Sequence, residues 1–390
     1  MRVSFFKIFW SIYLLEFITP IVLLIHYIFG YEVDFIIKVP SIIYFLLVVG
    51  FHFRNKLILT PLTLIFLVYS ALSFFYGIFV GNKIDNKFIS HIYFASIPVL
   101  GASFGYHFAG LYEEKLKPFF LRIINISFYV TCLILLVYFY LHFISGSVAY
   151  WGFGTDMHLL IPFILLQGKF KAVLVGIIFV VLSGKRATLL NVILELIMYF
   201  SYMLRSISLK SIPKVILIAG IFIAGFTIAY SQGAFSRFES SLQFDLNDED
   251  AMLYATSGRW QEVTGIIEHH NTKPERWVLG AGFGGRYEWF IPLDNYLEMK
   301  HYAHFAPFAY IFLFGIPFTI LLYSFFIYYI AKAKHYLANP FMIVFVVGVF
   351  SSFFGANLFV DIKIWIFLGV VYFLIKNPQS SIANIQVKNI

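Results

Sequence analysis

Two arginines in this sequence have surroundings that could support chemistry on a negatively charged substrate. Arg186 lies in the segment Ser183–Thr188, next to the end of an apolar run. Arg259 follows Ser257, a residue type that favours the N-cap of a helix. The first turn of a helix attracts anions, and a guanidinium adds a planar fork of donors that matches phosphate oxygens. The pattern indicates pyrophosphate binding. An interfacial anchor for Arg186 and a surface ion pair for Arg259 are the alternative interpretations.

Two histidines are the candidates for proton transfer. His301 and His304 are three residues apart where a polar segment meets an apolar one, so both could face one cavity. An imidazole titrates near neutral pH, which suits a general base. The alternative is an interfacial histidine with a satisfied hydrogen bond. A zinc site with His269 or His270 would not have a standard ligand spacing, and we expect no bound metal.

Other patterns indicate structure more than chemistry. Gly280–Gly285 satisfies G-x-G-x-x-G, but no βαβ unit surrounds it, so a tight turn is the better interpretation. The D-x-D pattern of Asp248–Asp250 lies in an acidic stretch and is typical of a solvated charge run. Glu16 and Glu195 interrupt apolar runs, where a structural hydrogen bond is favoured over a functional site.

The elements that position these residues must be membrane spans. Hydrophobic residues make up 61% of the 390 and charged ones 12%, about half the roughly 25% of a soluble domain. The formal charge of +8 fits basic cytoplasmic loops. The sequence shows no soluble basic domain that would indicate nucleic-acid binding. The predicted fold class is all-α: a polytopic membrane protein with about twelve transmembrane helices and one large, partly helical outer loop. The candidate spans are 8–29, 35–53, 57–80, 88–110, 119–143, 157–168, 170–183, 187–204, 214–230, 303–330, 340–357 and 361–375.

The placement of lysine and arginine orients the spans. With twelve spans, both termini lie on the same side of the membrane, and most lysines and arginines outside the long loop lie on that side too. The positive-inside rule assigns that side to the cytoplasm. Three parts follow: transmembrane helices 1–9 in residues 1–230, a large periplasmic loop at 231–302, and three further helices with a short cytoplasmic tail at 303–390. Within the loop, a helix is predicted to begin after Ser257, with an apolar stripe, and to end at Asn271 and Pro274.

This plan resembles the O-antigen polymerase and O-antigen ligase superfamily of bacterial glycosyltransferases. The whole arrangement of spans and outer loop is similar, and three local patterns support the resemblance. Residues 183–186 look like the family's first arginine element at the outer end of a span. Residues 256–259, followed by the turn at 279–284, look like its second. His304, eleven residues before Gly315, looks like its histidine–glycine pattern.

The resemblance implies a donor glycan linked to undecaprenyl pyrophosphate, with no metal or other cofactor. Arg186 and Arg259 would bind the pyrophosphate, and His304 would take the proton of the acceptor hydroxyl. His301 is the alternative base, because Phe305 stands where the family often has a small polar residue after its histidine. The residues expected to support the site are Lys185, His301 and Arg286.

The expected function is a repeat-unit polymerase for O-antigen or a related surface polysaccharide, at the outer face of the bacterial cytoplasmic (inner) membrane. The expected partners are the lipid-linked oligosaccharide, membrane lipids and a chain-length regulator protein, with no nucleic acid. The alternative within the class is a ligase that transfers the glycan to lipid A-core. From another class, a lipid-linked oligosaccharide flippase would also have about twelve spans, but would not need an arginine-bearing outer loop.

Overall fold

The computed structural model describes residues 2–16, 34–145, 157–182, 186–204, 220, 227, 256, 258–291, 296–354, 361–380 and 382. We call residues 231–302 the outer segment, after their predicted location. The helices before it are α1 (Arg2–Glu16), α2 (Asp34–His52), α3 (Pro61–Phe79), α4 (Asn86–Leu111), α5 (Lys117–Ser145), α6 (Met157–Leu166), α7 (Phe170–Leu182) and α8 (Arg186–Leu204). The remaining elements are α9 (Arg259–Asn271), α10 (Arg276–Leu279), β1 (Tyr287–Ile291), β2 (Tyr296–Lys300), α11 (Ala306–Phe314), α12 (Ile316–Lys332), α13 (Pro340–Ser351) and α14 (Ile362–Lys376).

Three helices within these ranges are long and apolar enough to cross a membrane: α3, α4 and α5. Thr60 and Thr63 form a reciprocal capping box at the start of α3, and Pro61 takes the first helical position. One side of α3 then exposes a stripe of large apolar residues at helical spacing: Leu64, Val68, Leu72, Phe75 and Phe79. Such a stripe suits lipid tails better than water. A mainly helical chain with these three helices fits a membrane protein, while the number of twelve spans stays a prediction.

Two predicted segments are separate helices as predicted, and one predicted span is interrupted. The segments 157–168 and 170–183 are separate helices, α6 and α7, joined by a turn in which Gly168 has φ +71°. The predicted span 303–330 is not one continuous helix: it divides into α11 and α12 at Gly315, whose φ is +86°. A side chain at Gly315 would also meet the backbone of Val278, so the break accommodates a close approach of α10. The predicted span 214–230 lies outside the described residues except for positions 220 and 227.

The outer segment also contains a β-hairpin, which the all-α prediction missed. Strands β1 and β2 pair antiparallel, with Tyr287 opposite Lys300. The buried Tyr287 donates its hydroxyl to the carbonyl of Tyr302 at 2.9 Å. The hairpin lies against α9 at Gly265, where a Cβ would collide with the carbonyl oxygen of Glu288. The hairpin therefore fixes where the chain enters the segment that carries His301 and His304.

Residues Gly280–Gly285, which we call the glycine loop, attach the outer segment to the helices beneath it. The backbone N–H of Phe283 donates to the carbonyl of Ser73 in α3 at 3.0 Å. The side-chain amide of Asn82 donates to the carbonyls of Ala281 and Phe283, both at 2.9 Å. Positive φ angles at Gly280, Gly282 and Gly284 allow this path. The prediction of a tight turn is confirmed.

The N-cap of helix α9 lies one residue after the predicted N-cap. Gly258 is the N-cap, with φ +79°, and the hydroxyl of Thr256 accepts a hydrogen bond from the N–H of Trp260 at 3.1 Å. Ser257, the predicted cap, lies outside the described residues. The helix ends at Asn271 as predicted. Its buried face is only partly the predicted stripe, because Val263 and Ile266 are buried while Trp260 is 37% exposed.

Candidate active site

The first turn of α9 carries the residues on which the site is built. Arg259 is the first helical residue, and Glu262 follows on the side that faces the protein interior. Glu262 is only 3% exposed, on the same inner side as Val263 and Ile266. A buried carboxylate is costly unless donors or positive charges surround it. Glu262 is therefore expected to have hydrogen-bond donors around it.

Glu262 binds His304 through both of its oxygens. Its Oε1 lies 2.6 Å from Nδ1 of His304, and its Oε2 accepts the backbone N–H of His304 at 2.8 Å. The carboxylate thus holds the ring and the backbone of one residue together. The His304 side chain is nevertheless 50% exposed. The predicted base is therefore held by the helix that begins with the predicted anion-binding arginine.

The guanidinium of Arg259 is half-buried, and the part of the chain that the structure describes provides no direct ionic partner for it. No carboxylate of the described residues lies within the 4 Å of an ion pair with it. Burial lowers the pKa of Arg259, and the charge of nearby Glu262 acts in the opposite direction. The described residues therefore do not support the interpretation of Arg259 as half of a surface ion pair. A partly desolvated cation at a helix N-terminus is suited to receive an anion.

His301 has a structural position beside the site. Its backbone carbonyl accepts a hydrogen bond from Nε2 of His91 in α4 at 2.7 Å, and Nδ1 of His91 accepts the N–H of Gly284 at 2.9 Å. The His91 and His301 rings lie 5.6 Å apart. Burial lowers the pKa of His301 to about 3, with further lowering by nearby cations, chiefly Lys87. An imidazole with so low a pKa is a weak base, which favours His304.

Arg286 forms an ion pair with Asp85, the residue that caps α4. The Asp85 carboxylate also accepts the backbone N–H groups of Lys87 at 2.9 Å and Phe88 at 3.2 Å. Arg286 thus ties the end of the glycine loop to a helix start. Its support of the site stays a prediction.

The remaining predicted residues are placed only in part. Arg186 is the first residue of α8, but its side chain and Lys185 lie outside what the structure describes. Whether Arg186 meets Arg259 stays a prediction. Asp248 and Asp250 also lie outside the described residues.

Histidines of α9 have structural surroundings. His270 is buried, with Nδ1 3.0 Å from the carbonyl oxygen of Ile266 and Nε2 3.3 Å from that of Ile311. Burial lowers the pKa of the neighbouring His269 to about 4. Among the residues that the structure describes, no three His, Cys, Asp or Glu side chains are grouped closely enough to hold a metal ion.

Glu262 is the residue that sequence reasoning missed. It lies three residues after Arg259 on a predicted helix, between apolar residues that were expected to be buried. An acidic residue on the inward side of a helix needs a donor, and that requirement was a usable signal. The identity of the donor, 42 residues further along the chain, was not in the local pattern.

Comparisons of this chain with protein-family models, with curated proteins and with solved structures find no match. The family resemblance therefore rests on the sequence patterns given above.

Proposed function

We propose that this protein is a glycosyltransferase that polymerises surface-polysaccharide repeat units linked to undecaprenyl pyrophosphate, at the outer face of the cytoplasmic membrane. The observation that carries the proposal is the half-buried guanidinium of Arg259, which no described carboxylate pairs directly, at the start of the helix whose Glu262 binds the half-exposed His304. In the proposal, a bound pyrophosphate is the anionic partner of the Arg259 guanidinium, and His304 is the base that accepts the proton of a sugar hydroxyl.

The chemistry requires two tasks that these residues suit. The leaving pyrophosphate gains negative charge as its bond to the anomeric carbon breaks, and a preorganised guanidinium stabilises that charge, by about 3–4 kcal/mol per donor in other enzymes. The acceptor hydroxyl must lose its proton as it attacks, and a positioned base contributes roughly 10²–10⁴-fold. Arg259 and His304 meet these tasks in the proposal, with Arg186 as a second pyrophosphate ligand. No step needs a metal ion.

The test is chain extension by the purified protein in lipid bilayers, with a defined lipid-linked repeat unit as the only substrate. His304→Ala should abolish extension and leave single repeat units. His301→Ala should weaken it more modestly. Arg259→Lys keeps the charge but loses the bidentate fork, so it should lose most activity. Arg276→Lys is the matched control, because Arg276 donates to the carbonyl of His269 in the same segment and has no proposed contact with substrate.

The result that would overturn the proposal is robust extension by His304→Ala or by Arg259→Lys. Loss of wild-type activity on addition of a chelator would contradict the metal-free mechanism. A wild-type protein that extends nothing, but transfers glycan to added lipid A-core, would assign the chain to the ligases instead.

A further inference from the structure

The contact between Glu262 and His304 has a consequence for the protonation of the histidine. A carboxylate only accepts hydrogen bonds, and Glu262 faces Nδ1 at 2.6 Å. Nδ1 must therefore carry a hydrogen. In a neutral imidazole the other nitrogen, Nε2, then holds the free lone pair. The His304 side chain is 50% exposed, and the residues that the structure describes place no hydrogen-bond partner on Nε2.

We propose that Glu262 is a positioning residue that fixes His304 in the tautomer whose Nε2 accepts the proton of the attacking sugar hydroxyl. This inference rests on the proposed function. Nε2 takes the proton as the hydroxyl oxygen forms its bond to the anomeric carbon. The bond from that carbon to the pyrophosphate oxygen breaks, and the undecaprenyl pyrophosphate leaves with the electron pair. The imidazolium that results lies against the Glu262 carboxylate, which balances its charge.

The second hydrogen bond makes the arrangement specific for a carboxylate. One oxygen of Glu262 accepts the backbone N–H of His304, a donor that cannot change its protonation. In Glu262→Gln, the single carbonyl oxygen satisfies that N–H, and the amide NH₂ then faces Nδ1. Two donors cannot bond to each other, so the ring must shift its hydrogen to Nε2, which removes the free lone pair from the reacting side. A change of one atom therefore selects the unproductive tautomer.

The effect should fall on turnover and not on donor binding. Glu262 is the negative charge that acts on Arg259, so its removal leaves the arginine no less attractive to pyrophosphate. We expect Glu262→Gln to lower kcat by about 10²–10⁴-fold, the usual contribution of a positioned base, with an unchanged KM for the lipid-linked donor. The control is Glu268→Gln, an exposed carboxylate on the same helix, which should leave both constants at wild-type values.

A spectroscopic measurement tests the tautomer without activity. Nitrogen-15 spectra of the histidine-labelled protein in bilayers distinguish hydrogen on Nδ1 from hydrogen on Nε2, and the signal that disappears in His304→Ala belongs to His304. We expect Nδ1–H in the wild type and Nε2–H in Glu262→Gln.

The outcomes separate this inference from the proposed function. If the wild type extends no glycan, the proposed function fails, while the spectra still test the hold of Glu262 on the ring. If the wild type extends glycan and Glu262→Gln matches its kcat, or if the tautomer is the same in both, the positioning role is wrong. A rise in KM or a loss of folded protein with unchanged tautomer would assign Glu262 a structural role and overturn the inference.

Discussion

The attachment of the outer segment by the glycine loop leads to a stability prediction. Gly282 has φ +73°, and a Cβ there would lie 2.7 Å from both Cα and N of Gly77 in α3. These are backbone atoms of a helix, so they cannot rotate away as a flexible side chain would. Gly282→Ala should therefore push the loop off α3 and separate the candidate site from the helices beneath it.

The magnitude follows from two contributions. An alanine held at positive φ costs about 1–2 kcal/mol relative to glycine. If the loop moves away, the bond from Phe283 to Ser73 and both bonds from Asn82 are lost or weakened. Each is worth about 0.5–1.5 kcal/mol net, so the three together contribute roughly 1.5–4.5 kcal/mol. The expected loss of stability is about 2.5–6.5 kcal/mol.

Gly81→Ala is the control for the backbone contribution. Gly81 has φ +80°, and its Cβ would meet nothing within 4 Å. Gly81→Ala should therefore lose only about 1–2 kcal/mol of stability, the cost of an alanine at positive φ. Both variants would be compared by amide hydrogen exchange of residues 258–291 in bilayers, since local opening reports the free energy of detachment. Equal exchange in Gly282→Ala and Gly81→Ala would refute the conclusion that close backbone contact holds the loop.

Three further predictions concern topology, pH and the second arginine. A reporter fused near residue 250 should be active only outside the cytoplasm, and a cytoplasmic signal would contradict the predicted orientation. Burial lowers the pKa of His269 to about 4 and the pKa of His301 to about 3. In the unfolded chain both histidines have a pKa near 6.5, so as the pH falls the unfolded chain is protonated before the folded one. Stability of the outer segment should be complete above pH about 6.5 and decline towards pH 4, measured by amide exchange, and replacement of both by glutamine should flatten the decline. Arg186→Lys should lose most glycan extension while inserting normally, and wild-type extension would leave Arg186 as an anchor only.

The sequence alone was sufficient for features that depend on local chemistry. The low charge content and the apolar runs indicated a helical membrane protein, because apolar helices need no partner to satisfy their backbone in lipid. The end of α9 at Asn271 and the turn at Gly280–Gly285 followed from residue types with strong backbone preferences. Arg259 was correctly expected in a first helical turn for the same reason.

Features that depend on close approach between distant segments needed the tertiary structure. The division of 303–330 at Gly315 does not appear in hydropathy, because it accommodates the backbone of Val278. The hold of Glu262 on His304 joins residues 42 positions apart, and only the packing of α9 against the hairpin and α11 brings them to 2.6 Å. A sequence can show that Glu262 needs a donor. Which donor it finds, and hence which nitrogen of His304 stays free, is decided by the fold.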